Sequence, residues 1–224
     1  MGNLLNGKTL LITSGPTRAP IDAVRFISNR STGRLGSRIA EAALERGARV
    51  LFVCGPDSER PDTETERLVL CPIETVDDLL TTLEEQLRDE QVDAVIHAMA
   101  VLDYVPAEPT REKVRSERDE WTLRLVRTPK VITRIRQWAP ECTLVGFKLL
   151  SEASEEKLIE AALHVAESAG AALMVGNDLT RISEERHPAL LVRPDGQVLA
   201  RPRTKVEIAE LLGCEQSQVN VKGK

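Results

Sequence analysis

The chain has 224 residues, 42% hydrophobic and 29% charged, with a formal net charge of −5, proportions of an ordinary globular protein long enough for one large α/β unit. A negative balance with only 3% aromatics argues against a nucleic-acid binder, which needs a basic face and stacking platforms. No stretch approaches the ~18 apolar residues of a membrane-spanning helix, and Cys54, Cys71, Cys142 and Cys214 are scattered without a C-x-x-C pair, so reduced thiols and a cytoplasmic location are expected.

An apolar strand over Lys8–Thr13 runs into a loop of Ser14, Gly15, Pro16 and Thr17. A second loop, Ser28-Asn29-Arg30-Ser31-Thr32-Gly33, opens an alanine-rich helix over Arg34–Arg46 that stops at Gly47. Arg49–Val53 and Leu68–Cys71 read as strands, Val76–Arg88 as a helix with Asp77 and Asp78 in its first turn, and Asp93–Met99 as a buried strand. After an irregular stretch come a strand-like Trp121–Val126 and, behind Pro129, a short helix over Val131–Trp138. Thr143–Phe147 is a strand and Glu155–Ala169 a helix stopped by Gly170. Ala172–Val175, Ala189–Val192 and Gln197–Leu199 follow as strands, and Lys205–Leu212 closes as a helix. This alternation predicts an α/β fold: a Rossmann-like, mostly parallel sheet with helices on both faces, a flap and a small antiparallel extension. No repeat or linker interrupts it, so residues 1–224 read as one domain, with an edge near Trp121–Val126 and Ala189–Leu199 that needs covering.

Two adjacent loops at the carboxyl end of the first strand, one feeding a helix N-terminus, predict an anion site. Amides there lack intrahelical partners, the helix dipole is positive, and small residues let a phosphate approach. The details count against dinucleotide binding: there is no G-x-G-x-x-G, and the second strand ends in Cys54-Gly55 without an acidic residue for a ribose. Neither a P-loop G-x-x-x-x-G-K-[ST] nor a G-x-S-x-G elbow occurs, leaving an NAD(P)-dependent oxidoreductase as a second choice. The segment Thr110–Trp121 mixes cations and anions with almost nothing apolar. It reads as a solvated hairpin tip or as a mobile lid bringing Lys113 or Arg115 over a bound anion.

Gly15–Asp22 (GPTRAPID) followed by Val24–Gly33 (VRFISNRSTG) resembles phosphopantothenoylcysteine synthetase, the phosphopantothenate–cysteine ligase family, in its free-standing form. The resemblance continues through Ala98–Pro106, Lys113, Val126–Ile132, Val145–Leu150 and Gly176–Thr180. It implies nucleotide-dependent activation of 4′-phosphopantothenate, with CTP as co-substrate (ATP in eukaryotic members) and Mg2+ or Mn2+, then amide formation with L-cysteine by a homodimer. A synthetase-like binding or regulatory protein is the rival reading.

The resemblance also implies roles. Asn29, otherwise a turn or cap asparagine, would hold the acyl-nucleotide, helped by Arg25, otherwise a surface salt-bridge partner. Gly15, Ser31, Thr32 and Gly33 would line the phosphates, with Ser31 or Thr32 also able to cap the helix. His97, Ala98 and Met99 would meet the base through their main chain, His97 itself reading as a hydrogen-bonded strand-end histidine and not a metal ligand. Asp103 would reach ribose or a nucleotide-borne magnesium ion, and Lys113 the phosphates from the root of a flap. Pro129, Lys130, Val131, Ile132 and Phe147 would pack around the base. Two basic residues that family members offer the triphosphate align here with His164 and Ser168, neither a dependable cation at pH 7, with Lys148, Lys157 or a second subunit as substitutes.

Overall fold

In the first strand, β1 (Thr9–Ser14), Leu10 and Ile12 pack on one face and Leu11 on the other, all three fully buried. A strand apolar on both faces must sit inside a sheet covered on both sides. The computed structural model describes residues 4–115, 117 and 119–215, residues 214 and 215 by backbone alone. Helices α1 (Arg34–Glu45) and α5 (Lys205–Glu215) cover one face, with α2 (Val76–Asp89), α3 (Val131–Trp138) and α4 (Glu155–Ala169) on the other.

The remaining strands of the main sheet are β4 (Arg49–Cys54), β5 (Leu68–Pro72), β6 (Ala94–His97), β9 (Thr143–Leu150), β10 (Leu173–Asp178), β11 (Ala189–Val192) and β12 (Val198–Ala200). They lie in the order β12-β11-β10-β9-β6-β1-β4-β5. The run from β5 to β10 is parallel, and β11 and β12 add antiparallel strands at one edge. The six parallel strands run 3-2-1-4-5-6 in chain order, which places a topological switch point between β1 and β6.

Local chemistry sets the helix ends. Thr75 and Asp78 close a capping box at α2, Ser154 caps α4, and Gly170 ends α4 at φ 59°, where a Cβ is disfavoured. β9 and β10 run to Leu150 and Asp178, beyond the expected Phe147 and Val175, because they go on pairing with each other past the end of β6. β6 stops at His97, where Ala98 N turns back to Ile96 O and Thr13 O, so the expected strand to Met99 is too long.

Sequence patterning missed a hairpin of β2 (Arg18–Pro20) and β3 (Phe26–Ser28) between β1 and α1. The expected strand Trp121–Val126 is corrected: only β8 (Leu125–Arg127) pairs, with β7 (Tyr104–Pro106), as a two-stranded ribbon off the main sheet. Thr110–Trp121 lies in the connection of that ribbon, closed at its base by Ala107 N to Arg124 O (2.9 Å); its Ser116 and Arg118 fall outside the described residues, as does the Cys214 side chain. Cys54, Cys71 and Cys142 are free thiols whose pKa values burial pushes up.

Candidate functional site

Four segments converge at the carboxyl ends of β1 and β6. The chain after β1 pairs with the chain after β6: Ala100 N donates to Gly15 O (2.8 Å), Thr17 N to Ala100 O (3.3 Å), and Leu102 N to Thr17 Oγ1 (3.0 Å). Asn29 Nδ2 donates to Ala100 O and Val101 O, both at 3.1 Å, stitching on the loop that leads into α1. Thr128 fixes the fourth segment, with Oγ1 donating to Leu102 O (2.7 Å) and its N to Asp103 O (2.9 Å). Asn29 and residues 98–103 thus meet at the switch point, where ligands of such sheets bind.

The start of α1 lies on the same rim. Gly33, at φ 74°, is its N-cap, and no side chain closes the helix. Thr32 Oγ1 is 3.4 Å from Arg34 N, too long for an effective cap, so neither Ser31 nor Thr32 caps the helix. Arg34 puts a cation in a first turn that is already positive, balanced by Glu59 at 2.8 Å. Sequence reasoning missed the loop beyond β4, whose Ser58 packs onto both glycines. A Cβ on Gly15 (φ 80°) would fall 1.7 Å from Ser58 Oγ, and one on Gly33 2.9 Å from Ser58 Cβ. Those two glycines are therefore required by the packing of Ser58 and by their own backbone.

Arg25 makes three contacts within the protein. Its guanidinium pairs with Asp22, donates to Val114 O (2.9 Å) and stacks 4.4 Å from the Trp121 ring centre. The Asp22 side chain is wholly shielded from solvent, and Arg25 together with backbone donors holds its carboxyl well below the usual carboxylate range. Lys113, next to Val114, is exposed.

On the other side of the rim, Lys130 Nζ meets Asp103 Oδ1 at 2.6 Å. Both side chains are more than half exposed, so the pair adds little stability and yields readily to a competing ligand. Among the described residues no group of three or more His, Cys, Asp or Glu could hold a metal ion. One exposed carboxylate suits an ion that arrives with its own phosphate oxygens, not a resident metal.

His97 is buried, with Nδ1 2.8 Å from Thr13 Oγ1, and burial pushes its pKa down to about 4. The ring is neutral at pH 7 and is no phosphate cation. Between its ordinary value of 6.5 and about 4 the unfolded chain takes up a proton that the folded state refuses. Stability should therefore fall through that window as pH drops, by a few kcal/mol at most. In His97→Gln, thermal melts between pH 6.5 and about 4 should show a smaller decline than in the wild type.

The other expected residues are at the rim too. Pro129 and Lys130 precede α3, whose Val131 is buried, and a Cβ on Gly146 would fall 2.7 Å from Ile132 Cδ1. Phe147 follows the last β6–β9 pairing, His97 to Gly146, and is half-buried on the α1 side. His164 and Ser168 lie well along α4. α4 runs back from the carboxyl rim, and the ten residues from Ser154 to His164, at 1.5 Å each, carry His164 roughly 15 Å away. The first-turn Lys157, by contrast, starts at the rim.

Missed by sequence reasoning, besides Ser58, were the structural use of Asp22 and the Asp103–Lys130 pair. Asp22 had a signal: an aspartate that accepts from the backbone N–H groups two and three residues on, here Val24 and Arg25, forms an Asx turn.

Residues 5–216 match the family described as the DNA/pantothenate metabolism flavoprotein C-terminal domain. The coenzyme A biosynthesis bifunctional protein CoaBC of Thermococcus kodakarensis is 37% identical over 211 residues, covering 94% of this chain and 51% of that protein. The chain thus spans about half the length of this curated relative. The crystal structure of the DNA/pantothenate metabolism flavoprotein from Streptococcus pneumoniae shares 33% identity at a TM-score of 0.86, covering 96% of this chain and all of that one. A crystal structure of the C-terminal domain of CoaBC gives 29% identity and a TM-score of 0.78 over 97% of this chain and 98% of the other. With nearly the whole length matched, this chain belongs to the DNA/pantothenate metabolism flavoprotein C-terminal domain family.

Proposed function

We propose that the chain is a phosphopantothenate–cysteine ligase that activates its acid with CTP. The observation that carries this reading is the meeting of an uncapped α1 start, Asn29 and the exposed Asp103–Lys130 pair at the switch point. A carboxylate oxygen of 4′-phosphopantothenate attacks the α-phosphorus of CTP, and the bond to pyrophosphate breaks as the acyl-nucleotide forms. The amine of L-cysteine then attacks the acyl carbon, loses a proton and displaces CMP. Such a reaction needs positioned donors and cations more than a protein nucleophile.

First-turn amides of α1, with Ser31 and Thr32, receive phosphate oxygens. Ala98 and Met99 meet the base through the main chain beside His97, while residues 129–132 and Phe147 pack around it. Asp103 releases Lys130 to accept the ribose or the nucleotide-borne Mg2+ or Mn2+, and Lys130 turns to the phosphates. The divalent ion, when bound, neutralises charge on the triphosphate. Asn29 holds the acyl-nucleotide and Lys113 approaches the phosphates from the β7–β8 ribbon.

A second copy of the chain completes the assembly. Phe26, Leu123, Leu125 and Val126 remain exposed on and beside the two small ribbons, an apolar strip that a homodimer would cover. Leu125→Arg should shift the protein from dimer to monomer in light scattering. Placement in the cytoplasm belongs to the same reading and matches the free thiols.

Pyrophosphate release tests the reaction. Release over many turnovers should require CTP, phosphopantothenate and cysteine together, with no more than a single-turnover burst when cysteine is left out and with ATP a poorer substrate. Absence of release with either nucleotide would reject the ligase and favour a binding protein.

A further inference from the structure

The turn at residues 21–25 grips the connection of the β7–β8 ribbon at three places. Thr110 N donates to Ile21 O (3.0 Å). Val114 is held by both of its backbone polar groups: its N donates to Asp22 Oδ2 (3.1 Å), and its O accepts from Arg25 Nη2 (2.9 Å). Trp121 closes the far end by stacking on the same Arg25 guanidinium. The clamp is itself tightly built, because Asp22 also accepts from Val24 N (2.9 Å), Arg25 N (2.8 Å) and Arg25 Nε (3.0 Å).

An otherwise polar, solvated segment gains little from burial and would stay loose. Val114 is anchored by one charge-assisted pair whose hydrogen bonds go to residue 114 or to the turn itself. Nothing in the proposed reaction requires Asp22 to touch substrate, and its shielded carboxylate could not.

We propose that Asp22, acting through Arg25, is a positioning residue that fixes Val114 and so sets where the neighbouring Lys113 ammonium stands over the site. The catalytic half of this inference rests on the ligase reading; the mechanical half does not. Both halves predict that loss of the clamp frees the segment while the sheet stays folded.

Two readouts test it separately. Trypsin must draw an extended chain through its cleft to cut after Lys113, and the clamp holds both polar groups of the residue on the other side of that bond. Asp22→Asn should speed cleavage after Lys113, read by mass spectrometry, about tenfold or more while the circular dichroism of the fold is retained. Trp121→Ala removes only the stacking from an exposed ring and should do the same more weakly, whereas Trp121→Phe keeps an aromatic face and should stay close to wild type. If Asp22→Asn fails to fold, the Trp121 pair decides. Cleavage within about twofold of wild type in Asp22→Asn, or in Trp121→Ala where Asp22→Asn does not fold, would overturn the clamp.

The second readout is a double-mutant cycle on turnover. Asp22→Asn should lower kcat/KM about tenfold in the wild type and change it less than about twofold in a Lys113→Ala background. Full additivity would overturn positioning through Lys113. Accelerated cleavage in a protein that releases no pyrophosphate from any nucleotide would leave the clamp standing and reject the ligase reading instead.

Discussion

Asn29→Asp should reduce steady-state amide formation by about a thousandfold, the upper range for losing a preorganised polar group in a site. The Asn29 amide gives two hydrogen bonds, to Ala100 O and Val101 O. A carboxylate of the same shape can donate neither and turns negative charge toward two carbonyl dipoles. The loop from the start of α1 would separate from the loop after β6, and the added charge would oppose phosphate oxygens at the rim. The loss should fall mainly on the second half-reaction, where the acyl-nucleotide must be held while the amine attacks. In rapid-quench experiments the pyrophosphate burst without cysteine should persist while CMP release slows. Asn29→Ala, which removes the donors without adding repulsion, should lose about a hundredfold. An unchanged steady-state rate in Asn29→Asp would contradict the assigned role.

Lys113→Ala should lower kcat/KM for CTP about a hundredfold, because a cation near the leaving pyrophosphate stabilises charge that grows as the α-phosphorus bond breaks. Lys113 is exposed, so truncation leaves no buried group unpaired and the fold should be untouched. Activity and stability therefore separate at this position: the thermal midpoint should stay within about a degree, as for ordinary surface substitutions. Lys113→Arg should recover part of the rate. An equal loss of stability and activity would point to a structural lysine.

Much of the architecture was legible in the chain. The helices over Val131–Trp138 and Glu155–Ala169 match residue for residue, since Pro129 and Gly170 punctuate strongly periodic segments. The strand order was not legible: it depends on which strands meet in space, and alternation of elements says nothing of that. The β2–β3 hairpin escaped because its strands have three residues each, too short for a period of two to register.

The candidate site was legible unevenly. Motif resemblance brought together Asn29, Ala98, Met99, Asp103 and residues 129–132, and the fold sets them on one rim. Gly15 and Gly33 pointed to a phosphate by composition, and their bare Cα atoms also face Ser58. A residue 43 positions along the chain from Gly15 could not be foreseen as its neighbour without the topology.

Hydrogen–deuterium exchange with and without CTP·Mg2+ tests the central claim most directly. Amides of residues 31–36 and 98–103 should gain protection together when nucleotide is added, since the first turn of α1 and the chain after β6 share one ligand. Binding accompanied by protection confined to other segments, with 31–36 exchanging as before, would contradict it.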